Sequence, residues 1–147
     1  MFSLPDDYAW VLLTVSTMSA QCLIAGMSVF KARDKYNIKY PDMGSGRLST
    51  KLSDTEWSQF NSLNRIHLNY VEQLCPATIT TLFSGLFYPI PSSIFGAVYI
   101  FGRYLYGKGY SKNGPNGRIN GMITFNSALT MNLMVFCFGF YKNMYLK

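Results

Sequence analysis

The chain has 147 residues, of which 49% are hydrophobic, 16% are aromatic and only 14% are charged. Soluble domains average about 25% charged residues, so these charges are too few to cover a water-facing surface, and the aromatic content argues against a disordered chain. The net charge of +6 is compatible with nucleic-acid binding, and only the positions of the cations can test that. At this length we expect one domain, covering residues 1–147.

Long uncharged segments define the predicted helices. Residues 8–30 and 119–141 contain no charged side chain, and each run matches the roughly 20 apolar residues that cross a bilayer. The third run, 73–102, holds two helices only if both extend beyond it, with Pro89 and Pro91 in a tight connection between them. The fold class is therefore all-α, a bundle of four transmembrane helices. We predict these helices at about 8–32, 60–87, 92–111 and 118–143.

The cations are divided unequally between the two ends of this bundle. The 31–65 loop and the 103–118 region hold eleven Lys and Arg, whereas the side with the termini holds two, Lys142 and Lys147. The positive-inside rule therefore places the basic loops in the cytosol, or on the equivalent face of an organelle, with both termini on the opposite side. Endoplasmic reticulum and mitochondrial membranes both remain open. Because the cations flank membrane helices and accompany no nucleic-acid-binding motif, no nucleic-acid partner is expected.

The cysteines indicate neither a metal site nor a disulfide framework. Cys22, Cys75 and Cys137 all fall in hydrophobic segments, and the chain has one histidine and no CxxC pair. We therefore expect no bound metal, and we interpret the three cysteines as buried structural thiols.

The second predicted helix carries polar groups where lipid is expected. Arg65, Asn69 and Glu72 are spaced i, i+4, i+7, which places them on one helical face. An ionised carboxylate in hydrocarbon is costly, and such residues usually face a bundle interior or a subunit interface. Two interpretations remain open, a structural polar network that fixes helix packing and a polar binding site at the membrane surface.

The third helix favours the binding site. Arg103, Tyr106 and Tyr110 are spaced i, i+3, i+7 and share a face. A guanidinium and two phenols opposite Arg, Asn and Glu would suit a small polyanionic ligand that contains amide groups. The Gly-, Pro- and Asn-rich segment 111–121 is predicted to be a turn, and Arg118 stands near its end, where the fourth helix begins.

These segments resemble the membrane-associated proteins in eicosanoid and glutathione metabolism, the MAPEG family. The resemblance rests on ARDKYNIKYPDM (32–43), FNSLNRIHLNYVEQ (60–73), VYIFGRYLYGKGY (98–110) and the GPNGR turn, and it extends over nearly the whole chain. The pattern F-N-x-x-x-R-x-H-x-N-x-x-E, from Phe60 to Glu72, is specific. Within the family, the chain is most similar to the microsomal glutathione S-transferase type 3 branch.

The resemblance implies a homotrimer that binds glutathione, as co-substrate, between neighbouring subunits near the cytosolic face. Arg118 would be the catalytic residue, because a guanidinium beside a thiol of pKa about 8.5 stabilises the thiolate. A lipophilic second substrate would enter from the bilayer. The implied reactions are glutathione transfer to lipophilic electrophiles and glutathione peroxidase reduction of lipid hydroperoxides. The implied glutathione-binding residues are Arg33, Arg65, His67, Asn69, Glu72, Arg103, Tyr106 and Tyr110.

A second class of function stays open, a non-catalytic protein with the same fold. It would present lipids to a partner, or serve as an accessory subunit of a larger membrane complex, for instance in mitochondria. The lipid-presenting branch lacks the thiol-activating arginine, so Arg118 favours the enzyme. A channel or transporter has little support, because the chain shows no inverted repeat and no pair of broken helices.

Overall fold

The computed structural model describes residues 4–146 and confirms the all-α class. Four long helices contain most of these residues, and the described part of the chain has no β-strand. Lys147, one of the two cations expected beside the termini, lies outside the described residues. The helices are α1 (Tyr8–Tyr36), α2 (Asp54–Phe87), α3 (Pro89–Gly117) and α4 (Ile119–Tyr145), with one short 3-10 turn at Ser49–Lys51.

The first helix extends beyond the predicted end at residue 32. It stops where Asn37 adopts a left-handed conformation, with φ of 53°, and donates its backbone N–H to the carbonyls of Arg33 and Asp34. Asparagine tolerates this conformation better than most residues. The uncharged run marks only the lipid-facing part of a helix, whereas the last turns of α1 carry Lys31, Arg33 and Lys35 and continue past it.

A buried carboxylate organises the loop between α1 and α2. Asp42 accepts four backbone hydrogen bonds of 2.8–3.0 Å, from Gly44, Gly46, Leu48 and Ser49, and a fifth from the Ser49 hydroxyl. Burial alone would raise the pKa of Asp42, but these donors outweigh it and hold the pKa well below its usual range. The loop therefore has a fixed shape although it contains little regular secondary structure.

The second helix begins earlier than the predicted residue 60, because a capping box precedes it. The Ser53 side chain accepts from the Glu56 backbone N–H, and the Glu56 carboxylate accepts from the Ser53 backbone N–H at 3.1 Å. Each group satisfies a donor that the helix start leaves free. The hydroxyl of Ser53 also donates to Glu56 at 2.7 Å, and these bonds lower the pKa of Glu56.

The connection between α2 and α3 consists of Tyr88 alone. The prediction that Pro89 and Pro91 lie in a loop was therefore wrong. Pro89 is the first residue of α3 and Pro91 lies in its first turn, where the missing N–H costs nothing because the first amides of a helix have no intrahelical acceptor. The far end of α3 breaks at Asn113 and at Gly114, whose φ is 62° and ψ −151°, before α4 begins at Ile119. The predicted 111–121 turn is thus narrower than its composition indicated.

Helix α2 contacts all three other helices. The closest backbone approach is between α3 and α4. A Cβ atom built on Gly121 would lie 2.2 Å from the Tyr106 amide nitrogen, and one on Gly102 would lie 2.6 Å from the Phe125 amide nitrogen. Only glycine fits at these two positions, and their contact fixes the start of α4 beside the middle of α3.

The outer surface of the bundle is apolar over most of its length. Large hydrophobic side chains of all four helices are exposed. Of the described helices, α1 and α4 are long and apolar enough to cross a membrane on those grounds alone, whereas α2 and α3 carry more polar groups. All three cysteines are free, but only Cys22 is buried. The prediction of buried thiols was wrong for Cys75 and Cys137, because both lie on the outward faces of their helices.

Candidate functional site

The polar face of α2 consists of Arg65, Asn69 and Glu72. Two of these three side chains point away from the protomer's own bundle. Arg65 and Glu72 are exposed, and Asn69, on the same face between them, is half-buried. Exposed ionised groups at this depth of an apolar helix surface would face hydrocarbon in an isolated protomer. The arrangement is typical of a surface that another molecule covers.

Behind this face lies an arginine within the bundle. Arg103 of α3 is 4% exposed, and its Nη1 donates to Oδ1 of Asn69 at 2.8 Å. The guanidinium carbon lies 4.2 Å from the centre of the Tyr70 ring, 4.7 Å from that of Phe125 and 5.0 Å from that of Tyr106. Aromatic rings stabilise a cation through their quadrupoles. Nε of Arg103 has no hydrogen-bond partner among the described residues.

The two tyrosines of α3 continue from Arg103 towards Arg118. Tyr106 and Tyr110 are both buried, and their ring centres lie 5.8 Å apart. The guanidinium carbon of Arg118, at the boundary between α3 and α4, lies 5.7 Å from the centre of the Tyr110 ring. Arg118 itself is partly exposed. The side chains of the predicted α3 face and the predicted catalytic arginine therefore form one connected row.

Two of the predicted site residues lie elsewhere. Arg33 is 5% exposed and donates to the carbonyl oxygens of Ile38 at 3.1 Å and of Asp42 at 2.6 Å. Its guanidinium also stacks 3.9 Å from the centre of the Tyr40 ring. The structure therefore gives Arg33 the role of fixing the α1–α2 loop in its own protomer. Its sequence position beside the membrane end of α1 does not reveal this, because the acceptors are backbone carbonyls.

His67 faces α1 and lies apart from the Arg65–Glu72 face. A Cβ atom built on Gly26 would lie 3.1 Å from Cε1 of His67, so the ring packs closely on that glycine. Nδ1 of the ring is buried and has no hydrogen-bond partner among the described residues. His67 is two residues from Arg65, and side chains two apart in a helix diverge by about 200°.

Tyr70 and Gln21, which the sequence analysis did not select, form a hydrogen-bonded pair near Arg103. The Tyr70 hydroxyl donates to Oε1 of Gln21 at 2.7 Å, and Nε2 of Gln21 donates to the Ile100 carbonyl oxygen at 3.1 Å. These bonds join α1, α2 and α3 one turn from the Arg103 guanidinium. A glutamine inside the uncharged run of α1 was the available signal, since such a group needs partners within the bundle.

Within residues 4–146, no group of three His, Cys, Asp or Glu side chains could hold a metal ion. The chemistry of the described site is that of arginines, an asparagine, a carboxylate and phenols. These groups fit a ligand with anionic and amide groups, and they lie on a helical bundle with an apolar outer surface.

The fold and this polar face define a helical membrane-type protein with a polar site at one helix surface. The model of the MAPEG family matches residues 11–139, which is most of the chain. The chain belongs to the MAPEG family, as its resemblance indicated.

Proposed function

We propose that the protein is a membrane glutathione transferase and peroxidase whose site is completed by a neighbouring subunit. The observation that carries this proposal is the outward exposure of Arg65 and Glu72. Asn69, on the same face of α2, is hydrogen-bonded to the buried Arg103. Members of this family generally use glutathione. A peptide with two carboxylates, an ammonium group and amides has the functional groups that this face would bind.

The exposed charges support a subunit interface at the α2 face. An arginine and a glutamate that both faced lipid would be costly, and a second copy of the chain would remove them from it. A homotrimer, as the family resemblance implies, brings α2 helices together and supplies a second wall. A protomer alone would then hold only part of each site.

The proposed contacts follow from the charges and the hydrogen-bonding groups of these side chains. Arg65 would hold a glutathione carboxylate through two parallel hydrogen bonds, and Glu72 would accept from the ammonium group. Asn69 offers an amide to the peptide backbone and is itself oriented by Arg103. Tyr106 and Tyr110 connect Arg103 to Arg118, and their hydroxyls are ordinary donors for the thiol end of the peptide.

The proposed chemical step depends on the thiolate. Arg118 beside the sulfur would lower the pKa of the thiol and increase the nucleophilic fraction at neutral pH. In the transferase reaction the sulfur attacks an electrophilic carbon, a C–S bond forms, and the opened epoxide oxygen or the leaving group takes the electron pair and a proton. In the peroxidase reaction the sulfur attacks the O–O bond, an alcohol leaves, and a second glutathione converts the sulfenic acid to disulfide and water.

The proposal is tested with purified protein in detergent. We expect glutathione to raise the melting temperature, since a ligand specific to the folded state stabilises it. We also expect conjugation of an epoxide or reduction of a fatty-acid hydroperoxide. Arg118→Ala should lower the turnover number on the order of 100-fold and shift the pH–rate profile to higher pH. Arg47→Ala, an exposed arginine of the α1–α2 loop, is the control.

Two outcomes would count against this proposal. A melting temperature that does not change with glutathione would refute the binding site. An active wild type whose Arg118→Ala variant keeps its turnover number and pH profile would refute the role of Arg118. Loss of binding in Arg65→Ala and Glu72→Ala, with normal melting temperatures, would locate the site on the α2 face.

A non-catalytic role is the second candidate, and one observation favours it. Arg33 is held by its own loop carbonyls and is not free to contact a ligand across an interface. The exposed α2 face would then be covered by another membrane protein in a larger complex, or the protein would present lipids to a partner. A native mass near three protomers supports the enzyme, whereas one copy in a much larger assembly supports the accessory role.

The membrane orientation is part of the same proposal. The segments 31–65 and 103–118 hold eleven of the thirteen Lys and Arg residues, which favours the cytosolic face for that end of the bundle. Both termini would lie on the opposite face of an endoplasmic reticulum or mitochondrial membrane. Labelling of Ser45→Cys, an exposed position of the 37–53 loop, with a membrane-impermeant maleimide in sealed vesicles tests this orientation.

A further inference from the structure

A cleft opens between α1 and α3 at the basic end of the bundle. Its volume is about 740 Å³, and its floor is the first two and a half turns of α2. Three lysine side chains line it, together with hydroxyl groups from all three helices. Its lysine and serine side chains include Lys31, Lys35, Lys112, Ser58, Ser62 and Ser111.

The charge of this cleft is positive and its donors are abundant. Asp54, at the start of α2, is the one acidic residue among the lining side chains. Lys35 is held in place, since its Nζ donates to the Tyr36 hydroxyl at 3.0 Å and that hydroxyl donates to Oε1 of Gln59 at 2.6 Å. Lysine ammonium groups and serine hydroxyls are ordinary ligands of a phosphate group.

A second groove, of about 260 Å³, continues from the cleft along α1 and α3 towards the middle of the bundle. The two share Ser28, Leu63 and Ser111 in their walls. The groove is lined mainly by apolar groups, with Ile24, Ala25 and Gly107 among them, and Arg103 lies at its inner end. A polar, cationic cavity that opens into an apolar groove has the shape of a site for an amphiphile.

This cleft adjoins the proposed glutathione face at its basic end. Ser58 and Ser62 line the cleft, and they lie seven and three residues before Arg65, which places them on the same side of α2. Of the proposed glutathione-binding residues, Tyr110 lines the cleft and Arg103 lines the groove. The lysines belong to the ends of α1 and α3 and contact neither Arg65 nor Glu72.

We propose that the α1–α3 cleft binds an anionic phospholipid, with its phosphate among Lys31, Lys35 and Lys112 and one acyl chain in the adjoining groove. The continuity of the two cavities favours a lipid over free phosphate, because free phosphate would leave the groove empty. The lysines stand at the end of uncharged helix surfaces, which is the depth of lipid phosphates in a bilayer. The proposal does not depend on glutathione binding.

The test compares short-chain phosphatidylglycerol with short-chain phosphatidylcholine added to the protein in neutral detergent. Binding is measured by native mass spectrometry and by the shift in melting temperature. We expect the wild type to prefer phosphatidylglycerol, and the K31A/K35A/K112A variant to lose this preference by on the order of 100-fold. The K39A/R47A/K51A variant removes three cations from the same end of the bundle, none of which lines the cleft, and should keep the preference.

A second variant tests the groove. A Cβ atom on Gly107 meets only Ile66, at 3.5 Å, so Gly107→Leu fills the groove without a backbone clash. We expect it to weaken phosphatidylglycerol binding while its melting temperature without lipid stays at or above the wild-type value. Ala25→Phe fills the same groove from α1 and should act alike.

Three results would overturn the proposal. The first is an unchanged preference in the cleft variant, and the second is an equal loss in the control variant. The third is competition by inorganic phosphate or glycerol phosphate at the same concentration as the lipid, which would assign the lysines to a soluble anion. Glutathione binding is measured on the same samples, so a failure of one proposal is distinguishable from a failure of the other.

Discussion

Arg103 of α3 donates a 2.8 Å hydrogen bond to Asn69 of α2, and no carboxylate partners this buried guanidinium in the described structure. The remaining support comes from three aromatic rings and from the Ile66 carbonyl oxygen at 3.5 Å. The charge is therefore stabilised by dipoles and π-faces. This relationship joins the interior of the bundle to the exposed polar face of α2.

The first prediction concerns this pair. Asn69→Leu should lower the free energy of unfolding by about 2 kcal/mol, because a hydrogen bond to a charged group is lost and the guanidinium stays buried. Arg103→Met removes the buried charge together with the hydrogen bond to Asn69. The double variant should therefore lose less stability than the two single losses combined, as measured by thermal melts in detergent. Strict additivity would show that the two side chains are not coupled.

The second prediction concerns the loop carboxylate. The pKa of Asp42 is depressed in the folded protein, so its contribution is present above the unfolded pKa of about 3.9 and is lost as the pH falls towards the lower folded pKa. The loop should therefore stay resistant to proteolysis from pH 7 to about pH 5 and weaken only under strongly acidic conditions.

Asp42→Asn tests the same carboxylate at neutral pH. It should expose residues 37–53 to cleavage roughly tenfold faster, because one of the two acceptor oxygens becomes a donor beside backbone N–H groups. Asp34→Asn, on the exposed surface of α1, is the matched control. Equal cleavage rates for the two variants would contradict the role assigned to Asp42.

The third prediction concerns the close approach of α3 and α4. Gly121→Ala places a Cβ atom 2.2 Å from the Tyr106 amide nitrogen, so the helices must separate at a cost of about 3 kcal/mol. Arg118 would move with α4, and glutathione should then stabilise the variant less than the wild type.

Gly107→Ala is the control for that change, since it adds the same methyl group where the nearest atom is 3.5 Å away. It should be neutral or stabilising by up to about 1 kcal/mol, because alanine favours a helix. Thermal melts with and without glutathione separate the two variants. Similar losses in both would show that the added methyl group, and not the helix contact, is responsible.

The fourth prediction concerns a buried polar group at the other end of the bundle. Asn132 of α4 donates to the Thr81 hydroxyl at 3.1 Å and to the Ser92 carbonyl oxygen at 3.3 Å, and it accepts from Ser84 at 3.0 Å. Asn132→Leu should cost about 2 kcal/mol, since each such bond in a membrane bundle contributes about 0.6 kcal/mol and unpaired partners remain.

Asn126→Leu provides the comparison for this position. Asn126 lies on the exposed side of α4 and bonds only to the Met122 carbonyl oxygen of its own helix. This variant should keep the melting temperature within a few degrees of the wild type. A similar melting temperature for Asn132→Leu would mean that the network between the three helices contributes little.

The sequence predicted the helices well where lipid determines their composition. The uncharged runs located the central parts of α1 and α4, because hydrocarbon excludes ionised groups there. The ends were less predictable. Beyond the bilayer, Lys31 and Lys35 are compatible with a helix, and the start of α2 depends on a local exchange between Ser53 and Glu56 that hydropathy does not detect.

The sequence predicted which side chains share a helical face, but it did not predict which side chains of other helices they contact. Periodicity alone placed Arg65, Asn69 and Glu72 together on α2, but it carries no information on which side chain of another helix they meet. The Asn69–Arg103 bond depends on the register between α2 and α3, which the one-residue connection at Tyr88 constrains. Arg33 shows the same limit, since its partners are carbonyl oxygens that every residue possesses.

The single residue between α2 and α3 has a mechanical consequence. Since Tyr88 is the only link between Phe87 and Pro89, these helices have no slack at that end and cannot slide along one another. Because the two helices are joined at this end, a change in the angle between them would displace them most at the opposite, basic end. The α1–α3 cleft lies at that basic end, where a small change of angle would produce the greatest opening.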